Sequence, residues 1–120
     1  MHSDPKLTGR LRDALADTPL QERVMFGGVA FFLRGNFCCG IWHDMLVLRL
    51  GVERAEGAMF KKHVVPMDIT GTPMRGWVMI QPAGCRTRKQ LDGWLDSAMG
   101  FVKTLPAKKS KTSKTRKTNK

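Results

Sequence analysis

The sequence predicts an α+β domain: an antiparallel sheet of four to five strands built on a three-stranded meander and packed by N-terminal and C-terminal helices. Three observations support this. Residues 24–50 contain short apolar runs, rich in Val, Phe and Ile, that are separated by two-residue turns. An amphipathic segment precedes these runs, and a longer one with a capping signal follows them near the C-terminus. Grouped strands flanked by helices are typical of the α+β class.

Composition predicts one soluble domain. The chain has 120 residues, of which 42% are hydrophobic, and this length suits a single core. No apolar run approaches the roughly 20 residues that a membrane span requires. The polar N-terminus has no secretory signal, and three cysteines do not suggest a disulfide framework. We therefore expect a cytoplasmic protein that makes no membrane contact.

The first helix is predicted over residues 5–16. Asp4 is a suitable N-cap and Pro5 suits the first helical position. Leu7 and Leu11 follow at helical spacing, and the Thr18-Pro19 pair ends the segment. A polar link over residues 20–23 is expected to lead into the meander.

The register of the meander follows from its two turns. A two-residue loop at Gly35-Asn36 would place Phe32 opposite Cys39, and a second loop at His43-Asp44 would place Gly40 opposite Val47. Because side chains alternate along a strand, one face becomes the predicted core. Its residues are Ala30, Phe32, Phe37, Cys39, Ile41, Leu46, Leu48 and Leu50.

The opposite face of the meander is also largely apolar in this register. A sheet that is apolar on both faces must be covered on both, unless one face is an interface. We therefore predict that this face binds a protein partner or a second copy of the chain. The predicted partner-binding residues are Phe31, Leu33, Trp42, Met45 and Val47.

The second half of the chain adds two helices and one or two strands. The pattern predicts a short helix over residues 52–60, a loop over residues 61–75 with a brief strand at 67–70, and a strand over residues 77–81. Thr87 and Gln90 form a capping-box signal, and the amphipathic helix that follows is expected to end before Pro106.

A basic tail closes the chain and sets the predicted boundary between a domain at residues 1–106 and a disordered segment at residues 107–120. The net charge is +11, and the tail contains seven Lys or Arg residues and no acid. Such cations neutralise phosphates without reading a sequence, so we expect non-specific contact with DNA or RNA. The alternative is a tail that only aids solubility. The candidate nucleic-acid-binding residues are Lys108, Lys109, Lys111, Lys114, Arg116, Lys117 and Lys120.

The cysteines do not predict a metal site. Cys38 and Cys39 are adjacent, so in a regular strand their side chains would point to opposite faces. The spacing of Cys39 and His43 lacks the further ligands that zinc needs, and Cys85 precedes the last helix. Structural thiols are the default interpretation, and we predict no metal and no cofactor.

One thiol or anion site remains as a hypothesis. The register places Cys38 opposite Arg49, and a nearby guanidinium would lower the pKa of the thiol. Arg75 precedes Gly76, where a ligand could approach the backbone closely. The competing interpretation is that both arginines pair with acids, Asp44 and Asp68.

Several motifs together resemble the N-terminal domain of the TfoX (Sxy) competence regulators over about residues 10–105. They are Met25-Phe26-Gly27-Gly28, the Gly35-Asn36 hairpin, the Leu48-Arg49 strand end, and Pro73-Met74-Arg75-Gly76-Trp77-Val78 before the closing helix. The resemblance implies a small α+β domain of the bacterial cytoplasm that is associated with transcriptional control of DNA-uptake genes. It implies no catalytic residues. It also suggests a single-domain member in which the lysine tail replaces the C-terminal domain of the longer regulators.

These observations favour a non-enzymatic bacterial regulatory or adaptor domain, transcription-associated, with a tail that contacts nucleic acid. The alternative is a protein-interaction or dimerisation module without a nucleic-acid role. A thiol-dependent or small-molecule-binding enzyme would need a pocket joining Cys38, Arg49 and Arg75, and the sequence shows no Ser-His-Asp order, phosphate-cradling loop or spaced acid pair.

Overall fold

The computed structural model describes residues 4–25, 27–68 and 74–107 and contains, within them, three helices and one six-stranded antiparallel sheet. The helices are α1 (Pro5–Ala14), α2 (Val52–Ala58) and α3 (Arg88–Val102), and a 3-10 turn at Pro82–Cys85 precedes α3. The strands are β1 (Gln21–Met25), β2 (Gly28–Leu33), β3 (Asn36–Trp42), β4 (Met45–Arg49), β5 (Val64–Pro66) and β6 (Trp77–Ile80). Their order in the sheet is β1-β2-β3-β4-β6-β5.

The predicted α+β class is confirmed, and the sheet has one strand more than the largest number expected. The additional strand is β1, which begins inside the segment predicted as a polar link. This strand lies at the sheet edge and is mostly exposed, so it lacks the apolar alternation that reveals a strand in a sequence. The short strand β5 lies at Val64–Pro66, ahead of the predicted position at 67–70; residues 69 and 70 lie outside the described ranges.

The helix ends follow their local signals. The carboxylate of Asp4 accepts a hydrogen bond from the backbone N–H of Lys6 at 3.1 Å, with Pro5 in the first turn. At the start of α3 the capping box is complete, because Thr87 accepts from the N–H of Gln90 and the Gln90 side chain accepts from the N–H of Thr87. Both predicted N-caps are therefore confirmed.

The second hairpin of the meander has the predicted register, but the first does not. Trp42 pairs with Met45 and Gly40 with Val47, as a His43-Asp44 loop requires. Between β2 and β3, however, Leu33 pairs with Asn36, so the two loop residues are Arg34 and Gly35. Their φ angles of 50° and 83° are both left-handed, which matches the twist of a two-residue hairpin.

Contacts with the chain after α3 explain why the first loop lies one residue earlier than predicted. The Arg34 guanidinium donates to the carbonyl of Lys103 at 2.7 Å, and the buried Asn36 amide donates to the carbonyl of Pro106 at 2.9 Å. A local loop signal contains no information about these distant acceptors. The predicted loop at Gly35-Asn36 is therefore wrong by one residue, because the hydrogen bonds that favour the observed loop involve residues far apart in the sequence.

A β-bulge then changes which side chains share a face. Phe31 pairs with Cys39 and Phe32 with Phe37, which leaves Cys38 as an extra residue in β3. As a result Phe31 and Leu33 lie in the main core beneath the helices rather than on the opposite face. In the predicted core, Ile41, Leu46 and Leu48 are placed correctly, whereas Phe32 and Phe37 are not.

The two faces of the sheet are covered differently. All three helices contribute buried residues to the main core, among them Leu11, Ala55 and Leu95. On the other face, Val47, Met67 and Met79 form a smaller cluster with half-buried neighbours, and none of the described members of this cluster belongs to a helix. We call this side of the sheet the open face. Among the described residues, no helix has the length and apolar character needed to cross a bilayer.

Candidate interaction face

The open face carries an apolar cleft of about 130 Å³. Its walls expose almost no polar atoms. They are formed mainly by aromatic and methionine side chains, namely Phe32, Phe37, Trp42, Met67, Met74 and Trp77. We call this concave surface the aromatic cleft.

Small residues in the middle of the sheet create the depression. Ala30 and Gly40 are paired across β2 and β3, so neither strand projects a large side chain at this point. A side chain at Gly40 would not fit, because its Cβ would lie 2.5 Å from the carbonyl oxygen of Val29 and 3.3 Å from the Phe37 ring. Larger residues on either side, Phe37 and Trp42, then form the walls.

An aromatic row crosses the open face beside the cleft. The rings of Phe32 and Phe37 meet edge to face at 5.7 Å between centroids, and Phe37 and Trp77 are 4.6 Å apart. The Arg23 guanidinium lies 5.0 Å from the centre of the Phe32 ring, and that of Arg49 lies 5.6 Å from a ring centre of Trp77. The row is thus apolar in the middle and cationic at both ends.

The structure divides the five predicted partner-binding residues between the two faces. Trp42, Met45 and Val47 do lie on the open face, with Val47 buried in its floor. Phe31 and Leu33 do not, because the bulge turns them into the main core, where they are 5% and 7% exposed. The assignment of these two residues to an exposed face is therefore wrong.

Three aromatic residues of the open face were not among the predicted interface residues. Phe32 and Phe37 were placed in the core because the predicted meander had no bulge at Cys38. Trp77 was recognised as a strand residue, but nothing local revealed that it lies next to Phe37. Its pairing partner across β4 and β6 is Arg49, which the sequence had suggested only as a member of the thiol or anion site. All four residues of β6 are apolar, so no alternation in the sequence indicated which of them lie on the open face.

The side chains of the hypothetical thiol or anion site have different neighbours. The Sγ atom of Cys38 lies 3.5 Å from Sδ of Met99 under α3. Arg49 lies over the rings of Trp77 and Phe101, and Arg75 forms an exposed ion pair at 3.5 Å with Glu56. Strand pairing between β3 and β4 begins at Cys39, so it does not include Cys38. Arg75 therefore pairs with an acid, but the acid is Glu56 and not one of the two proposed.

The two adjacent thiols interact with each other. Both are fully buried in the main core, because the bulge places the two side chains on the same side of the sheet. The expectation that they point to opposite faces is therefore wrong. A hydrogen bond with the Cys39 thiol lowers the pKa of Cys38, against the opposing effect of burial. The same hydrogen bond and burial raise the pKa of Cys39. The shift at Cys38 thus has a neighbouring thiol, and not Arg49, as its cause.

The remaining predicted sites concern metal ions and the tail. Among the described residues, no group of three or more His, Cys, Asp or Glu side chains is arranged to hold a metal ion. The seven candidate nucleic-acid-binding residues of the tail lie outside the described ranges. Their role stays a prediction from the sequence.

Comparison with known proteins gives one family. The model of the TfoX N-terminal domain matches residues 13–102, which is most of the chain and extends from within α1 to the end of α3. A search of curated proteins found no match. The resemblance noted in the sequence is confirmed.

Proposed function

The chain belongs to the TfoX N-terminal domain family, and we propose that it is a non-enzymatic regulatory or adaptor domain associated with transcription. In this proposal the open face binds a protein partner. The basic tail holds the assembly to DNA or RNA without sequence preference. Membership of the family supports a competence-regulator-like domain, and the two binding roles are our own inference.

The observation that carries the protein-binding role is the aromatic cleft, whose described lining includes no helix residue. Cores of protein interfaces are enriched in Trp, Phe, Met and Arg and depleted in Lys, Glu and Asp. The open face has this composition, with Trp42 and Trp77 in the cleft and Arg23 and Arg49 at the ends of the aromatic row. Trp and Arg are also among the residue types that most often dominate binding energy at interfaces.

The nucleic-acid role rests on the charge of the tail. Its seven cations are separated only by Ser, Thr and Asn, so it can neutralise several phosphates at once. If every cation contacts a phosphate of duplex DNA, the slope of log affinity against log salt reaches about −6. Fully extended, residues 108–120 reach roughly 45 Å. The tail could therefore contact DNA while the open face remains accessible.

A gel-shift titration tests the nucleic-acid role. We compare the full chain with a variant of equal length in which the seven tail cations are replaced by Gln, using one DNA duplex at two salt concentrations. We expect the variant to lose most of its affinity and its salt dependence, because the released counterions provide the free energy. A control chain with the same tail residues in shuffled order should bind like the original. Equal affinity of the Gln variant, or loss of binding by the shuffled chain, would contradict a non-specific tail.

A second candidate function is dimerisation through the open face. Met74, which lines the cleft, is 39% exposed, so one copy offers both a cleft and an apolar side chain that could enter the cleft of another. A two-fold interface requires such self-complementarity, so the exposed Met74 beside the cleft favours dimerisation.

Light scattering distinguishes dimerisation from binding of a different protein. If dimerisation is correct, the unmodified chain is a dimer and Trp42→Asp is a monomer, because the new carboxylate would be buried unpaired in the interface. Phe60→Asp is the matched control, since Phe60 is 92% exposed and does not line the cleft. Circular dichroism establishes that each variant is folded. A monomeric unmodified chain, or a dimeric Trp42→Asp variant, removes this candidate.

A further inference from the structure

We propose that the folded domain carries a second nucleic-acid contact, a lysine-lined cleft that binds backbone phosphates. The cleft has a volume of about 620 Å³ and lies between the turn after α2 and the exposed side of α3. Lys61, Lys62 and Lys89 line it, together with His63, Trp94 and Ser97. We call it the lysine cleft. This inference rests on the nucleic-acid role proposed above and assigns part of that role to the folded domain.

The charge of the lysine cleft has one sign. Its lining includes three lysines and no Asp or Glu. All three lysines are exposed, and in the part of the chain that the structure describes the ion pairs involve arginines, not these lysines. A concave surface that gathers uncompensated cations attracts anions more strongly than the same charges on a convex surface. The cleft therefore suits a negatively charged partner.

A fixed tryptophan organises one side of the cleft. The indole N–H of Trp94 donates to the carbonyl oxygen of Gly84 at 3.0 Å, which holds the ring against the 3-10 turn. The Lys61 ammonium lies 5.3 Å from the centre of that ring. Because the ring is anchored, Lys61 is held at the cleft while its ammonium group can still contact an anion.

Further cations extend the basic surface around the start of α3. The Arg10 guanidinium donates to the carbonyls of Cys85 and Arg86, at 2.7 Å and 3.0 Å, next to the exposed side chain of Arg86. Arg88 is paired with Asp92 and adds little net charge. The helix dipole of α3 has its positive end here as well, although the capping box already satisfies some of the free N–H groups.

The charge of the whole chain favours an extended polyanion over an acidic protein segment. The lysine cleft adds three cations to the seven that the sequence places after residue 107. A nucleic-acid backbone presents a long row of phosphates, so one molecule offers enough negative charges for both sets of cations. An acidic protein segment would be the competing partner.

Salt-dependent binding of the full chain tests the proposal. In the cleft variant Lys62 and Lys89 are replaced by Gln, and Lys61 is kept because it packs on Trp94. In the control variant Lys6 and Lys103 are replaced by Gln, since both are exposed and outside the cleft. With a DNA duplex as probe, loss of two phosphate contacts should reduce the salt slope by about 2 and weaken binding at low salt, with little change in the control.

The outcomes separate this inference from the proposal on which it rests. If the unmodified chain does not bind DNA, both fail. If it binds but the cleft and control variants have the same salt slope, the lysine cleft is excluded and the tail retains its role. If polyglutamate displaces the duplex at equal charge concentration, the cleft belongs to an acidic protein and our inference is overturned. Our inference is supported if the salt slope is reduced in the cleft variant but not in the control variant, and if polyglutamate does not displace the duplex.

Discussion

Gly28→Ala is expected to destabilise the fold by about 3 kcal/mol, because the added Cβ has no space. It would overlap the carbonyl oxygen of Ile41 and lie 3.3 Å from its carbonyl carbon. These are backbone atoms of the neighbouring strand β3, so no flexible side chain can move away. Relief requires β2 and β3 to separate at the point where β2 begins, next to the turn that joins it to β1.

Urea denaturation measures this effect, with Gly9→Ala as the matched control. Gly9 lies inside α1, and an added Cβ there would meet no atom within 4 Å. Its replacement should raise the free energy of unfolding by roughly 0.5–1 kcal/mol, because alanine favours a helix. If Gly28→Ala were as stable as the unmodified chain, the close approach of β2 and β3 described here would be incorrect.

Phe31→Ala is expected to cost 3–5 kcal/mol of stability, the usual range for a buried Phe, whereas Phe32→Ala should cost clearly less. Phe31 is 5% exposed and lies in the main core, where its removal leaves a cavity beneath the helices. Phe32 is only half-buried, and it lies on the open face with Arg23 over its ring. Replacement of these two adjacent residues of β2 by Ala should thus reduce stability by very different amounts.

The same denaturation experiment makes this pair a direct test of the register. With a regular hairpin around Gly35-Asn36, Phe32 would be the core residue and the order of the two costs would be reversed. A larger loss for Phe32→Ala than for Phe31→Ala would therefore contradict the bulge at Cys38 and the division of the sheet into a core face and an open face.

A single extra residue, Cys38, gives the open face its present composition. Without the bulge, Phe31 and Leu33 would lie on the open face and Phe32 and Phe37 would be buried in the main core. With it, Phe37 stacks near Trp77 and borders the aromatic cleft. The residues available to a partner are therefore a product of the β2–β3 register. Mutational studies of binding should target Trp42, Trp77 and Phe37.

Much of the architecture was determined by local sequence signals. The cap at Asp4, the capping box at Thr87 and Gln90, and the His43-Asp44 loop depend on residues close to each other in the chain, so the sequence alone predicted them. The order of the motifs also identified the family. The sequence could not predict the edge strand β1, because an exposed edge strand forms through pairing with its neighbour and leaves no apolar period in the sequence.

By itself, then, the sequence determined the α+β class, the N-terminal caps of α1 and α3, the apolar strands and a basic tail. Only the tertiary structure decided which apolar side chains face the helices and which line the open face. The physical reason is that side chains alternate with a period of two, so a shift of one residue exchanges the faces. Here that shift is the bulge at Cys38, an extra residue in β3 that no local pattern predicted. The position of the adjacent loop involves hydrogen bonds from Arg34 and Asn36 to carbonyls about 70 residues away, which no local pattern contains either.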